Sequence, residues 1–208
     1  MKRVAVLASL ALIVTVPLIA QSPKGWKVRA DRSASASDPD GAGAIKFVTT
    51  GSGFHATTPQ AAVFWNPANT IAGNYTLKGT FKLLKPSGHT NYYGLVFGGT
   101  ELEGANQNYT YFLVAQDGSW LVKRRNGEAT EDVVRKTPSD AVKKPDASGQ
   151  STNALEVRVQ ADKVEFAVNG TAVGSVPKAQ AAKTDGLYGI RSNHLLDIEV
   201  DGLSATKR

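Results

Sequence analysis

Residues 109–134 read YTYFLVAQDGSWLVKRRNGEATEDVV, and this stretch decides the fold. Two dipeptides divide it, Asp117-Gly118 and Asn126-Gly127. Such pairs tolerate positive φ angles at the centre of type I′ turns, whose twist matches that of paired strands. The stretch therefore predicts an antiparallel meander of three strands over 109–115, 120–125 and 130–134.

The same β-strand signals continue on both sides of the meander. Residues 75–84 alternate between apolar and polar side chains, and so do residues 155–160, which is the pattern of strands with one buried face. About a dozen short strands, with turn signals about every 8–12 residues, are typical of a sandwich or barrel. We predict an all-β, antiparallel sandwich domain over 45–208, preceded by an irregular N-terminal segment over 21–44.

The first twenty residues have the layout of a secretory signal peptide. Lys2 and Arg3 precede an apolar run, Pro17 interrupts that run, and Ala20 is a small residue at the expected cleavage point. The alternative is a retained membrane anchor, for which the run is at the short end. We expect residues 1–20 to direct export to the periplasm or the cell exterior, with no membrane span left after cleavage.

Composition narrows the classes of function. Without Lys2 and Arg3, 22 basic residues face 18 acidic ones, so the net charge is +4. A nucleic-acid binder would carry a denser basic patch, and we expect no nucleic-acid partner. The chain has no cysteine, which excludes disulfides and thiolate metal sites.

Particular strands resemble a known family. The stretches 91–99, 109–114 and 117–127 resemble the central strands of concanavalin A-like, laminin-G-like jelly-roll domains, and 153–170 with 185–191 is similar to their second half. The resemblance covers about residues 45–205 and implies an antiparallel jelly-roll β-sandwich. It extends to bacterial exported domains of the 3-keto-disaccharide hydrolase or glucanase-like type. Because this fold carries lectins, binding modules and hydrolases, the resemblance leaves the activity open.

Catalytic carboxylates are not evident. The resemblance implies that a glucanase of this fold would carry a Glu-x-Asp-x-x-Glu strand, and the sequence has none. In the row Asp197, Glu199 and Asp201, the acidic residues alternate with apolar ones, which favours an ordinary solvent-facing row. Glu101 and Glu103, in a loop between two central strands, are the weak catalytic candidates for a glycoside hydrolase.

Metal ligands are also weakly indicated. Asp38 and Asp40 lie in one loop and could bind calcium, which takes oxygen ligands, although turn formation equally explains such residues. His55, His89 and His194 are distant from one another in sequence and show no metal-binding spacing, and the sequence leaves their convergence in space open. We therefore expect no cofactor other than this candidate calcium site.

Aromatic residues on the central strands suggest a ligand surface. Tyr93, Tyr109 and Tyr111 with Arg125 are the candidate ligand-binding residues, because sugars stack on aromatic faces and guanidinium groups bind hydroxyls. The alternative is that these rings fill the core, since aromatic residues favour strands.

Together these features favour an exported carbohydrate-binding or adhesive β-sandwich without catalysis of its own. Its expected partner is a saccharide or a cell-surface glycan. Two alternatives stay open: a diverged glycoside hydrolase-like enzyme that acts on saccharides, and a cell-surface protein-interaction domain.

Overall fold

A computed structural model describes residues 23–33, 36–181 and 183–208. The predicted signal peptide, residues 1–20, lies outside these residues. In the described part of the chain, no helix is long and apolar enough to cross a membrane. The described elements are β1 (Lys27–Asp31), β2 (Lys46–Thr50), β3 (Gly53–Thr58), β4 (Ala61–Ile71), β5 (Tyr75–Lys85), β6 (Tyr92–Thr100), β7 (Asn108–Ala115), β8 (Ser119–Asn126), β9 (Ala129–Pro138), β10 (Ser151–Val159), β11 (Lys163–Val168), β12 (Thr171–Pro177), a 3₁₀ turn (Lys178–Ala181), β13 (Gly186–Ser192) and β14 (Leu196–Lys207).

The strands form two antiparallel sheets of seven strands each. Sheet I has the order β1-β4-β13-β6-β7-β8-β9, and sheet II has the order β12-β11-β10-β5-β14-β3-β2. This architecture confirms the predicted all-β, antiparallel sandwich. The meander is confirmed as well: β7 pairs with β8 and β8 with β9, and Gly118 and Gly127 adopt the positive φ that their turns require.

The sandwich begins earlier in the chain than residue 45. Within the segment 21–44, which was predicted to be irregular, β1 pairs with β4 along its full length, from Lys27 opposite Trp65 to Asp31 opposite Ala61. This edge strand shows little apolar alternation, because its residues are mostly exposed. Its end places Asp31 against sheet I.

The main core lies between the two sheets and contains most of the large apolar side chains. Rings from both sheets meet there: Phe81 lies 6.0 Å from Tyr93, and Phe112 lies 5.1 Å from Phe166, between centroids. Fully burying a side chain of this size stabilises the fold by about 1.5–3 kcal/mol. The fully buried aromatic residues of this core are Phe64, Tyr75, Phe81, Tyr93, Phe97, Phe112 and Phe166.

Sheet I also buries side chains on its outer face. A second apolar cluster contains residues of this sheet and of the loop between β6 and β7. Along β7 the two clusters alternate, with Tyr109, Tyr111 and Leu113 outside and Phe112 and Val114 inside. A strand with one solvated face would have polar residues at the outer positions. The outer face of sheet I is therefore packed with apolar side chains and is the candidate location for a ligand site.

The outer face of sheet II is charged. Glu199 lies opposite Lys82, and Asp197 and Asp201 share its side of β14, whereas the alternating Ile198 is fully buried. This placement confirms that the acidic row on β14 faces outward rather than forming a catalytic strand. Opposite charges on neighbouring strands stabilise a sheet by about 0.2–1 kcal/mol per pair.

Candidate functional site

A buried ion pair lies on the outer face of sheet I and joins the edge strand β1 to β13. Arg191 on β13 donates from Nη1 to Asp31 Oδ2 and, at 2.8 Å, to the hydroxyl of Tyr109. The Tyr109 hydroxyl in turn donates to Asp31 Oδ2 at 3.1 Å. Only 9% of the Arg191 side chain and 6% of the Asp31 side chain are exposed. The guanidinium is thereby fixed in place on the sheet.

The charges of this network are set by its own contacts. Burial alone would raise the pKa of the Asp31 carboxyl, but the charge and hydrogen bond of Arg191 outweigh burial and lower that pKa below its ordinary value. Burial raises the pKa of Tyr109 well above its ordinary value, so its hydroxyl stays protonated. At neutral pH the network therefore holds one carboxylate, one guanidinium and neutral hydroxyls.

Two cavities flank the network, and Arg191 and Asn193 line both of them. The first has a volume of about 290 Å³ and the second about 170 Å³. The first is lined by Tyr92, Tyr111, Leu113, Leu121, Lys123, Thr130, Arg191 and Asn193. The second is lined by Asp31, Ser33, Asp38, Asp40, Ala61, Asn91, Arg191, Asn193 and His194. We refer to the two cavities together as the groove.

The first cavity combines an apolar wall with polar groups. The rings of Tyr92 and Tyr111 lie on the wall, and the Arg191 guanidinium lies 5.1 Å from the centre of the Tyr111 ring. Lys123, which also lines the cavity, forms an ion pair with Asp132 at 3.1 Å. Within the described residues, the side-chain amide of Asn193 makes no hydrogen bond. An apolar wall with a few convergent polar groups is the usual composition of a small-molecule site.

A larger cavity, of about 600 Å³, lies elsewhere between loops near residues 42–44, 85–88 and 195–197. Its lining includes Lys46, Lys85 and Asp197 but no aromatic residue. It therefore lacks the rings on which the sugar prediction depends, and the groove on sheet I is the better candidate.

The structure separates the four predicted ligand-binding residues. Tyr111 lines the groove, although only 5% of it is exposed, and Tyr109 lies beneath and positions Arg191. Arg125 is half-buried, and its Nε donates to the carbonyl of Gly127 at 2.7 Å, outside the groove lining. Tyr93 cannot face the groove, because it is fully buried between the sheets.

Tyr92 takes the place that was predicted for Tyr93. Successive side chains of a strand point to opposite faces, so one of these two neighbours had to lie inside and the other outside. Tyr92 packs against the outer cluster and donates to or accepts from Ser119 Oγ at 3.2 Å. Arg191 and Asn193 were not predicted. The signal that could have found Arg191 is its position between Ile190 and Ser192 in a core strand, because its side chain must point to the face opposite theirs.

The weak catalytic candidates lie away from the groove. Glu101 and Glu103 are exposed in the loop between β6 and β7, where Glu101 has a φ of 53°. The carboxylate of Glu103 pairs with Lys27 and borders a separate cavity of about 400 Å³. Both positions are explained by turn formation and by a surface ion pair.

The candidate calcium ligands lie beside two histidines at one end of the groove. Asp38 Oδ1 is 2.9 Å from His89 Nε2 and 3.1 Å from His194 Nε2. The two Nε2 atoms are 3.0 Å apart, and His194 Nδ1 is 3.3 Å from Asp40 Oδ1. Three loops that are distant in sequence therefore meet here: the β1–β2, β5–β6 and β13–β14 connections.

Comparison with solved structures identifies the class of fold. The carbohydrate binding module CBM66 from Bacillus subtilis superposes with a TM-score of 0.61, at 11% identity over 88% of this chain and 96% of that one. The Bacillus licheniformis β-glucanase gives 0.57 at 11% identity, over 90% and 95% of the two chains. The GH16 protein of the Bacteroides ovatus mixed linkage glucan PUL gives 0.56 at 8% identity, over 90% and 97%.

The chain therefore has the concanavalin A-like jelly-roll fold, as the strand resemblance implied. At these identities the likeness shows the fold alone. No protein-family model matches the sequence, and no curated protein matches it.

Proposed function

We propose that the protein is an exported carbohydrate-binding domain whose groove on the outer face of sheet I holds a saccharide. The observation that carries this proposal is the fixed Arg191 guanidinium beside the Tyr92 and Tyr111 wall. Solved structures of the same fold include a protein described as a carbohydrate binding module, which supports the assignment.

The groove offers the two kinds of contact that sugars require. The half-buried ring of Tyr92 meets the C–H face of a pyranose or furanose, whereas Tyr111, only 5% exposed, supports the cavity wall beneath Arg191. The polar tips of such residues tolerate water. Lys123, Arg191 and Asn193 line the same cavity and offer N–H donors to sugar hydroxyl groups. Because Asp31 holds Arg191 in place, binding does not have to immobilise that side chain, which lowers the entropic cost of association.

The placement of the carboxylates favours binding of a saccharide without its hydrolysis. Glycoside hydrolysis requires two carboxyl groups about 5–10 Å apart across the bond to be cleaved. Among the described residues, the cavity at Tyr111 has no carboxylate in its lining. In the neighbouring cavity, Asp31 is engaged by Arg191, Asp38 contacts His89 and His194, and Asp40 faces His194 Nδ1. The hydrolase and protein-interaction alternatives become outcomes of the test.

The test is a glycan array with the purified protein, followed by calorimetry with the saccharide that binds. We expect Lys123→Ala to weaken binding about tenfold or more, since a hydrogen bond to a charged group contributes about 1.5–3 kcal/mol and 1.4 kcal/mol is tenfold. Tyr92→Ala should also weaken binding, because it removes the ring that meets the sugar. Lys82→Ala, on the outer face of sheet II, is the matched control and should bind normally.

The outcomes separate the alternatives. Failure of the folded protein to bind any glycan would end the proposal. Binding to a protein ligand that is lost in Lys123→Ala would favour the interaction domain. Release of reducing ends from a bound polysaccharide would favour the hydrolase. In that case Glu101→Gln and Glu103→Gln would show whether the loop carboxylates take part.

A further inference from the structure

We propose that Asp38, His89 and His194 bind one divalent transition-metal ion of the zinc class. The three side chains come from three separate loops and offer one carboxylate oxygen and two imidazole nitrogens, all within 4.8 Å of one another. This inference concerns metal binding alone and does not depend on the proposed saccharide function.

The spacing of the donor atoms fits a tetrahedral metal. The three distances among Asp38 Oδ1, His89 Nε2 and His194 Nε2 are 2.9, 3.0 and 3.1 Å. Ligands about 2.0–2.1 Å from a tetrahedral zinc ion are separated from one another by about 3.3 Å. The observed triangle is within a few tenths of an ångström of that value, so a small adjustment would seat the ion.

Hydrogen bonds alone do not account for the triangle. His194 Nδ1 lies 3.3 Å from Asp40 Oδ1, and because a carboxylate only accepts, this contact fits the tautomer in which Nε2 offers its lone pair to a metal. The amide of Asn91 lies 3.1 Å from His89 Nε2, but its two hydrogens have acceptors at the carbonyl of His194 and at Ser87 Oγ. One proton on His89 could serve only one of its two close contacts, whereas a cation satisfies all three donor atoms together.

The donor set selects the kind of metal. Imidazole nitrogens suit zinc and neighbouring transition metals, whereas calcium and magnesium take oxygen ligands. Asp40 supports the site without being a ligand, since its carboxylate orients His194 through the other ring nitrogen. This arrangement is common around zinc-bound histidines. The carboxylates that the sequence singled out for calcium thus fit a different ion, with Asp38 as ligand and Asp40 as support.

Three protein ligands leave a fourth position for water or another molecule, as in zinc sites that are not purely structural. Solvent can reach the cluster, because 45% of the His89 side chain and 51% of the Asp38 side chain are exposed. His194 is almost fully buried and lines the smaller cavity with Asp38. The metal would therefore lie at the end of the groove.

The experiment is a titration of the full-length protein, without an oligohistidine tag, with ZnCl₂ against a chromophoric chelator. Co²⁺ serves as a second probe, because tetrahedral cobalt absorbs in the visible range. The chain has three histidines and no cysteine, so background binding is low. We expect one equivalent of zinc, and we expect His89→Gln and Asp38→Asn each to lower affinity by more than the about 10–100-fold loss typical of an orienting residue. Asp40→Asn should fall within that 10–100-fold range.

His55→Gln is the matched control. His55 also touches a carboxylate, with Nε2 at 2.5 Å from Asp197 Oδ1 on sheet II, but it has no second histidine beside it. Zinc binding by this variant should be unchanged. The proposal is overturned if the wild-type protein binds no stoichiometric zinc, if it prefers Ca²⁺, if His89→Gln binds normally, or if His55→Gln loses binding equally. Circular dichroism checks that each variant is folded, and the exposed positions 38 and 89 decide the question even if His194→Gln fails to fold.

Discussion

Replacing Asp31 by alanine is the most informative perturbation of the outer face of sheet I. The substitution removes the carboxylate that compensates the Arg191 guanidinium and leaves a positive charge in a position where only 9% of the side chain is exposed. It also removes the acceptor of the Tyr109 hydroxyl. The packing of the main core, on the other side of the sheet, is untouched.

The burial of the pair sets the size of the effect. An exposed ion pair contributes about 0–1 kcal/mol, whereas removing one partner of a buried pair costs about 3–5 kcal/mol, because the remaining charge is left without compensation. Only 6% of the Asp31 side chain and 9% of the Arg191 side chain are exposed, so the pair is a buried one. For a chain of this size, about 2–4 °C of melting temperature corresponds to each kcal/mol, so the expected decrease is about 6–20 °C.

The assay is urea unfolding with calorimetry, applied to Asp31→Ala, to Arg191→Met and to the double variant. Arg191→Met should cost less than Asp31→Ala, since Arg29 Nε remains 3.7 Å from Asp31 Oδ1 and partly compensates that carboxylate. The double variant should be more stable than the sum of the single effects predicts, because it leaves no uncompensated charge. A loss below about 1 kcal/mol for Asp31→Ala would refute the reasoning, since it would mean that the pair behaves like a surface contact.

Four further predictions concern other parts of the molecule. Tyr93→Phe should lower the free energy of unfolding by about 0.5–1.5 kcal/mol, through loss of the hydroxyl 3.4 Å from Asn153 Nδ2, and should leave glycan binding unchanged; weaker glycan binding would contradict the assignment of Tyr93 to the core. Because the pKa of Asp31 is lowered in the folded protein, its carboxylate stabilises the fold above the unfolded pKa of about 3.9, and this contribution is lost as the pH falls through the folded pKa. Between pH 6 and about pH 2, the free energy of unfolding should therefore fall less steeply for Asp31→Asn than for the wild type. Gly118→Ala should cost about 1 kcal/mol or more in urea unfolding, because the turn has a φ of 86°, and an unchanged midpoint would disprove the turn assignment. Mass spectrometry of the protein exported by a bacterial host should show a chain that lacks residues 1–20; a full-length, membrane-bound product would favour the anchor instead.

The fold could be predicted because its signals are local. Side-chain alternation has a period of two in a strand, and the glycines of the meander occur where the turns need positive φ, so residues 109–134 carry their own structure. The early strand β1 was harder to recognise, because its pairing with β4 rests on backbone hydrogen bonds rather than on an apolar pattern. Propensity says little about such an edge strand.

The candidate site was harder to predict, because sheet I is buried on both faces. In β6, Tyr92 and Tyr93 are chemically alike and are followed by apolar residues of both parities, so the sequence did not show which tyrosine faces the core. The proposed metal site could not be predicted for another reason. Its ligands, Asp38, His89 and His194, are brought together by loops between strands that are distant in sequence, and no spacing records that convergence.

The two-sided burial of β7 has a consequence for the chain before it folds. The segment 109–115, YTYFLVA, contains no charge, proline or glycine, which is the composition of segments that stack into amyloid-like zippers. In the native order β6-β7-β8 both of its edges are paired, so the folded protein offers no free strand there. Lys123, Arg124 and Arg125 lie opposite the start of the same segment in β8, so three positive charges flank it along the chain. These three residues act as gatekeepers, and their neutralisation should promote aggregation during refolding rather than change the native structure.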